Sequence, residues 1–202
     1  MKWKKQIICE VNRILENRGL EKENLRKKYI EIRKRIIDKQ SKSKKIINKI
    51  INEEDFKLAK VVALYKSLSS EVDTTELIDY SMKKGKVVVL PRVTGNELHF
   101  YRIDDASEKL EKSRFGIYEP KENATSLINN DEIDLVIVPG VCFDIQRNRV
   151  GFGKGYYDRL LANWNLNSIA ICFDEQVLKN ELIPNTFLDI KVKKIVTEEK
   201  VY

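Results

Sequence analysis

Arg149-Val150-Gly151-Phe152-Gly153-Lys154-Gly155-Tyr156-Tyr157-Asp158-Arg159 is the stretch of this 202-residue chain whose residue types and spacing could do chemistry. Three glycines at alternate positions let the main chain approach a ligand closely, and the free N–H groups of a helix that follows would point at an anion. Arg149 and Lys154 place formal positive charge beside those donors, which makes phosphate the natural occupant. Asp158, one turn into the helix, could present a carboxylate back toward the phosphates, where a magnesium ion needs an oxygen ligand. Each residue also has a plainer reading: glycines chosen for backbone angles alone, Arg149 and Lys154 solvated, and an acid favourably placed near a helix N-terminus. The spacing G-x-G-x-G matches neither the P-loop nor the dinucleotide fingerprint. Of Tyr156 and Tyr157, one reads as core at helical spacing and the other as an aromatic wall of a pocket.

The elements that must position this loop follow from hydrophobic period. Up to about residue 54 there is no proline and one glycine, Gly19. Apolar residues there recur at helical spacing (Ile7, Val11, Ile14; Leu25, Tyr29, Ile32, Ile36; Ile46, Ile47, Ile50), which predicts three helices, the first stopped at Gly19. The period then changes. Ala59 to Tyr65 is a continuous apolar run of the doubly buried kind, Asp73 to Lys84 a helix capped by Asp73 or a neighbouring Thr and closed by Gly85, and Lys86 to Leu90 a second strand stopped by Pro91. Glu97 to Ile103 alternates as an edge strand would, Ile133 to Val138 and Ser168 to Phe173 are buried strands, Tyr156 to Trp164 is an amphipathic helix, and Lys191 to Val196 is a last strand. Strand, helix and strand in thirty residues make a βαβ unit. The expectation is an α/β protein: three layers, α/β/α, around a mainly parallel, Rossmann-like sheet with N-terminal helices. In such a sheet ligands bind beyond the carboxyl ends of the strands, and the glycine-rich loop leaves one such end and enters a helix.

Composition excludes other classes. With 42% hydrophobic and 34% charged residues the chain is too apolar for disorder, and its apolar runs are too short to span a membrane. The basic N-terminus is followed by Glu10, Arg13 and Glu16 rather than a secretory apolar core, which predicts a cytoplasmic protein. Cys9, Cys142 and Cys172 have no metal or disulfide spacing and read as small buried hydrophobes, while His99, the one histidine, falls in the alternating strand. Residues 1 to 60 hold 19 Lys/Arg against 9 Asp/Glu, an excess of ten, which leaves −3 of the net +7 for the remainder. That field attracts polyanions, whether nucleic acid or small phosphorylated and polycarboxylated ligands.

Pro139-Gly140-Val141-Cys142-Phe143-Asp144, followed by Arg149 to Arg159, closely resembles the signature of the 5-formyltetrahydrofolate cyclo-ligase family. The resemblance extends to Lys22-Glu23-Asn24-Leu25-Arg26, to Tyr65 with Glu71-Val72-Asp73-Thr74, to Leu90-Pro91-Arg92-Val93, to Phe115-Gly116-Ile117 with Glu119-Pro120, and to Pro184 with Asp189. It runs from about residue 21 to 198. Residues 1–20 then read as a helical extension and 21–202 as one cyclo-ligase-like domain. The resemblance implies an ATP- and magnesium-dependent ligase that closes 5-formyltetrahydrofolate to 5,10-methenyltetrahydrofolate through a phosphorylated formyl oxygen, releasing ADP and phosphate. Carried over by motif, Lys22, Glu23, Asn24, Leu25, Arg26 and the segment Arg149, Val150, Gly151, Phe152, Gly153, Lys154, Gly155, Tyr156, Tyr157 would hold ATP. Arg149 and Lys154 would be the catalytic cations. Lys66, Glu71, Phe115 and the residues from Phe152 to Tyr156 would contact the folate, and Asp158 and Asp189 would ligate the metal. Phe115 would look the same as a core residue. After Asp189 many relatives carry a further acid, whereas this chain has Lys193 and Lys194. The implied partners are ATP and a folate with or without a polyglutamate tail, with no membrane or nucleic acid, and the implied state is a monomer or weak homodimer. The alternatives are another ATP-dependent α/β enzyme and a basic nucleic-acid-binding protein. Glu71 and Lys66 discriminate, since without a folate pocket they have no reason to face the glycine loop.

Overall fold

The computed structural model describes residues 2–105, 110–113, 116–122, 126–164 and 166–202; the side chains of residues 2, 4–9 and 12, that of Cys9 included, lie outside the description. The chain opens with α1 (Lys2–Arg35), α2 (Lys39–Ile50) and α3 (Glu54–Leu58). The expected stop at Gly19 is overturned: the first two predicted helices are one helix of 34 residues. Gly19 is exposed, touches nothing, and is flanked by strong helix formers, so the roughly 1 kcal/mol it costs relative to Ala is absorbed. The boundary drawn at residue 20 therefore falls inside a continuous helix.

Next come β1 (Val61–Ala63), α4 (Thr75–Lys83), β2 (Val87–Thr94), β3 (Glu97–Ile103), the short strands β4 (Glu111–Lys112), β5 (Tyr118–Glu119) and β6 (Leu127–Ile128), and then β7 (Leu135–Val138). The chain finishes with β8 (Cys142–Asp144), β9 (Arg149–Val150), α5 (Tyr156–Trp164), β10 (Ser168–Ile171), β11 (Val177–Leu178) and β12 (Lys194–Val196). The main sheet runs β12-β10-β7-β1-β2-β3-β6, with the first five strands parallel, β3 antiparallel to β2, and β6 antiparallel to β3. Pro91 does not stop β2, because β1 ends at Ala63 opposite Val89 and no strand there asks the residue for an N–H. Nor is β3 wholly an edge, since β6 pairs with its Phe100 and Tyr101.

Alternation along the strands sorts the core into two halves. Val62, Val88, Leu135, Ile137, Ile169 and Ile171 pack on one face with Ile46, Ile47 and Ile50 of α2, Phe56 of α3, and Leu77 and Ile78 of α4. Ala63, Val89, Val136, Val138 and Ala170 pack on the other with Leu160 and Leu161 of α5. The result is the expected three layers. Thr74 is the N-cap residue of α4, Asp73 just before it accepts at Oδ1 from the Thr75 N–H at 2.9 Å, and Gly85 closes the helix at φ +74°. Cys142 and Cys172 are buried and free, and among the described residues no helix is long and apolar enough to cross a membrane.

One feature of topology was not expected. The chain does not pass from β7 straight into the glycine loop but makes the hairpin β8-β9 first, which with β11 forms a small sheet packed on α1 through Tyr29, Val141, Cys142, Val150, Leu178 and Ile183. Asp144 staples that hairpin: it is fully buried, and its carboxylate accepts from the N–H groups of Gln146, Asn148 and Ile183 and from the Asn148 side chain. Gly140 is required by the same packing, since a Cβ there would lie 2.3 Å from the Phe143 ring.

Candidate active site

In the main sheet β1 leads to β2 on one side while β7 lies on the other, so the connections reverse direction between β1 and β7. Clefts form outside the carboxyl ends of strands at such a point. A cavity of about 490 Å³ lies there, lined by Tyr65, Lys66, Leu68 and Glu71 after β1 and by Pro139 after β7. The glycine segment, residues 149 to 158, returns along the hairpin to close one side, and Lys22, Arg26 and Asp189 complete it.

The wall nearest α1 and α5 is cationic. Lys22 and Arg26, one helical turn apart, both face the cavity. Arg26 Nε donates to the Gly151 carbonyl at 2.8 Å, which ties α1 to the loop. Gly153 sits at φ +94°, which favours glycine, and a Cβ on it would also crowd the Arg26 guanidinium at 3.1 Å. Arg149 is buried and pairs through Nη2 with Asp158 Oδ2 at 2.9 Å, while its Nε has no partner among the described residues. Lys154 is exposed at the cavity rim, where its carbonyl accepts from Arg159.

Two carboxylates stand among these cations. Asp158 lies in the first turn of α5, and its Oδ1 accepts from the Ile190 N–H at 3.3 Å. Asp189, the preceding residue in that segment, pairs with Lys22 at 2.5 Å and accepts at Oδ2 from the N–H and hydroxyl of Thr186. Burial pushes Asp189 up, but the hydrogen bonds from Lys22 and Thr186 outweigh it and hold the carboxyl below its ordinary value. Among the described residues no group of three or more His, Cys, Asp and Glu side chains is placed to hold a metal. A pair of carboxylates still fits magnesium, which usually takes one or two protein oxygens and completes its shell with phosphate and water.

The rest of the lining is largely apolar, with the acids Glu71 and Glu119 set in it. Tyr65, Leu68, Pro91, Val93, Leu98 and Ile117 form flat walls around Glu71. Burial raises the Glu71 carboxyl above its ordinary value, opposed by Arg33 and by the Leu68 N–H, which donates to Oε2 at 2.8 Å. Lys66 reaches Thr75 Oγ1 at 3.4 Å and lines the same cavity. A compartment lined by cations, a glycine-rich loop and apolar side chains around a buried carboxylate can seat a polyphosphate beside a flat heterocycle bearing N–H donors.

Of the residues singled out from sequence, the cavity gathers Lys22, Arg26, Lys66, Glu71, Asp158, Asp189 and the whole run from Arg149 to Tyr157. Tyr156 and Tyr157 both line it while also packing on the core, so neither is purely one or the other. Glu23 and Asn24 are exposed, Glu23 paired with Lys27, and Leu25 packs toward Tyr29; none of the three lines the cavity. Phe115 lies outside the described residues. Arg33 escapes a motif-based reading, although Lys22, Arg26, Tyr29 and Arg33 follow one another at four, three and four residues, which is one helix face.

Comparison with known proteins places the chain in a family. A model of the 5-formyltetrahydrofolate cyclo-ligase family matches residues 18–198. The chain is similar to the probable 5-formyltetrahydrofolate cyclo-ligase of Schizosaccharomyces pombe, with 35% identity over 82% of this chain and 87% of the relative. It is also similar to the 5-formyltetrahydrofolate cyclo-ligase of Haemophilus influenzae, with 36% identity over 65% of this chain and 72% of that one. The NMR structure of 5,10-methenyltetrahydrofolate synthetase from Aquifex aeolicus superposes with a TM-score of 0.77 at 37% identity, covering 89% of this chain and 91% of the other.

Proposed function

The chain belongs to the 5-formyltetrahydrofolate cyclo-ligase family and is an enzyme of that kind, and from that premise we propose that its cavity holds ATP and 5-formyltetrahydrofolate together and joins N10 to the formyl carbon through a phosphorylated intermediate. The observation that carries this reading is the mixed lining of one cavity, in which Lys22, Arg26, Arg149 and Lys154 share the walls with Glu71 and a set of apolar side chains. An amide-like formyl oxygen is a poor leaving group. Transfer of the terminal phosphoryl group of ATP onto that oxygen, with departure of ADP, makes it a good one. N10 then forms the new C–N bond, gives up its proton, and phosphate leaves with the original formyl oxygen.

Phosphoryl transfer needs mainly positioning and neutralisation of charge, which cations and main-chain N–H groups supply without a covalent nucleophile. That suits a chain with one histidine, in which the two cysteines with described side chains are buried and have their thiols pushed up by burial, that of Cys142 to about 12. The loop from Gly151 to Gly155 would bring its backbone against the phosphates, with Arg26 bracing it from behind. Glu71 would accept the N–H edge of the pterin, and Tyr65, Pro91, Val93 and Ile117 would cover its faces. Asp158 and Asp189 would hold magnesium, which would neutralise the phosphates when bound. Each is now paired with a cation, so either pairing would have to yield or share.

Mixing the protein with ATP, magnesium and 5-formyltetrahydrofolate is expected to produce the near-ultraviolet absorbance of the methenyl product with one ADP per turnover. Product without ATP, or ADP without product, would overturn the reading. Asp158→Asn is expected to raise the magnesium concentration for half-maximal rate tenfold or more, since one of two carboxylates is lost; a superimposable magnesium titration would remove Asp158 from that role.

A further inference from the structure

Arg33 lies beneath the cavity floor rather than in its lining, and is 3% exposed. Its Nη1 donates to Glu71 Oε1 at 3.1 Å and to the Gly140 carbonyl at 3.4 Å, and its guanidinium stands 5.5 Å from the centre of the Phe152 ring. Both Glu71 and Phe152 line the cavity, from different segments of the chain. The other Glu71 oxygen is taken by the Leu68 N–H, so the two oxygens of the carboxylate are held separately and its plane is fixed.

We propose that Arg33 is a positioning residue for recognition of the folate, holding Glu71 as a pre-aimed acceptor and bracing Phe152 opposite it. The proposal rests on the reading of Glu71 as the acid that binds the pterin. An Arg–Glu pair this deeply buried contributes little to stability, because desolvation consumes most of the Coulombic gain. It does bias a chemical state. Burial alone drives Glu71 toward the neutral acid, and Arg33 is the charged group that opposes this. A carboxylate accepts at both oxygens, whereas a carboxylic acid offers a hydroxyl donor that would meet the pterin N–H groups donor to donor. Arg33 thus acts through Glu71 and touches neither substrate.

Steady-state kinetics with KM measured separately for 5-formyltetrahydrofolate and for ATP test this in Glu71→Gln, Arg33→Met, Arg33→Gln and the double variant Arg33→Met with Glu71→Gln. Glu71→Gln is expected to raise the folate KM tenfold or more with the ATP KM within twofold. Both Arg33 variants should do the same, and the double variant should lie within twofold of Glu71→Gln because the two residues work as one unit. Arg33→Gln still donates a hydrogen bond to Glu71 without the charge, and carries the test if Arg33→Met fails to fold. A folate KM within twofold of the parent in a folded Arg33 variant, alongside a raised one in Glu71→Gln, overturns the role of Arg33 and leaves the site reading intact. Folate and ATP KM values rising together in the Arg33 variants reduce Arg33 to a structural residue. An unchanged folate KM in Glu71→Gln overturns the reading of Glu71 and the proposal with it.

Discussion

Lys154→Ala is expected to lower kcat about a hundredfold or more, the loss that follows removal of one group worth ~3 kcal/mol to a charged transition state. Lys154 stands exposed at the rim of the cavity on the glycine loop, and among the described residues it enters no ion pair. Its charge is therefore not committed to the fold, and its removal strands no carboxylate. The thermal midpoint should move by no more than about 2 °C, in keeping with surface substitutions generally. A cation that strengthens its hold as charge develops on the transferred phosphoryl group lowers kcat and kcat/KM together when lost. Rapid-quench or continuous assays of the methenyl product at saturating ATP measure this directly. A rate within threefold of the parent would assign the loop's catalytic charge elsewhere.

Much of this arrangement is legible in the amino-acid sequence, and the reason differs by element. Helix α5 was read with its observed bounds, Tyr156–Trp164, because Gly155 stands before it and the apolar residues Tyr157, Leu160 and Leu161 recur at three and four. The sequence predicts β3 with its observed bounds because a largely alternating run is framed by Gly95 on one side and Asp104 on the other. The failures are cases in which tertiary context overrode a local signal. Gly19 stops a helix only where the chain turns, and here α1 simply continues; Pro91 stops a strand only where a neighbour needs its N–H. The hairpin β8-β9 was hidden inside the motif that identified the family. Val141, Cys142 and Phe143 look like loop residues flanking a catalytic segment, yet they form a small sheet that α1 covers. Arg33 was hidden for a different reason: nothing in its neighbourhood, Glu31 to Arg35, distinguishes it from a solvated basic helix, and only the fold brings Glu71 to it, 38 residues away.

Arg149→Met is expected to be the more damaging of the two loop substitutions, with kcat reduced by about a hundred- to a thousandfold. Unlike Lys154, Arg149 is buried, and it serves the fold as well as the site: Nη2 binds Asp158, and the guanidinium stands 5.7 Å from the Tyr157 ring. Met keeps most of the aliphatic volume but leaves Asp158 without its cation, at a stability cost of about 1–3 kcal/mol that the N-terminus of α5 offsets in part. The substitution thus acts twice, removing a charge from the cavity wall and freeing a carboxylate there. If Asp158 is a magnesium ligand, the second effect has its own signature: half-maximal activation should require less magnesium in Arg149→Met than in the parent, although the maximal rate is far lower. Arg149→Lys separates charge from geometry. A lysine restores the charge but cannot present the fork of donors, so it should recover no more than about tenfold of the loss. Combining Arg149→Met with Lys154→Ala should cost less than the product of the single losses, because both cations neutralise the same transferring group. Independent, fully multiplicative losses would mean that the two cations act on different steps. An Arg149→Met enzyme with parental kcat and a parental magnesium requirement would mean that the Arg149–Asp158 pair belongs to the fold alone.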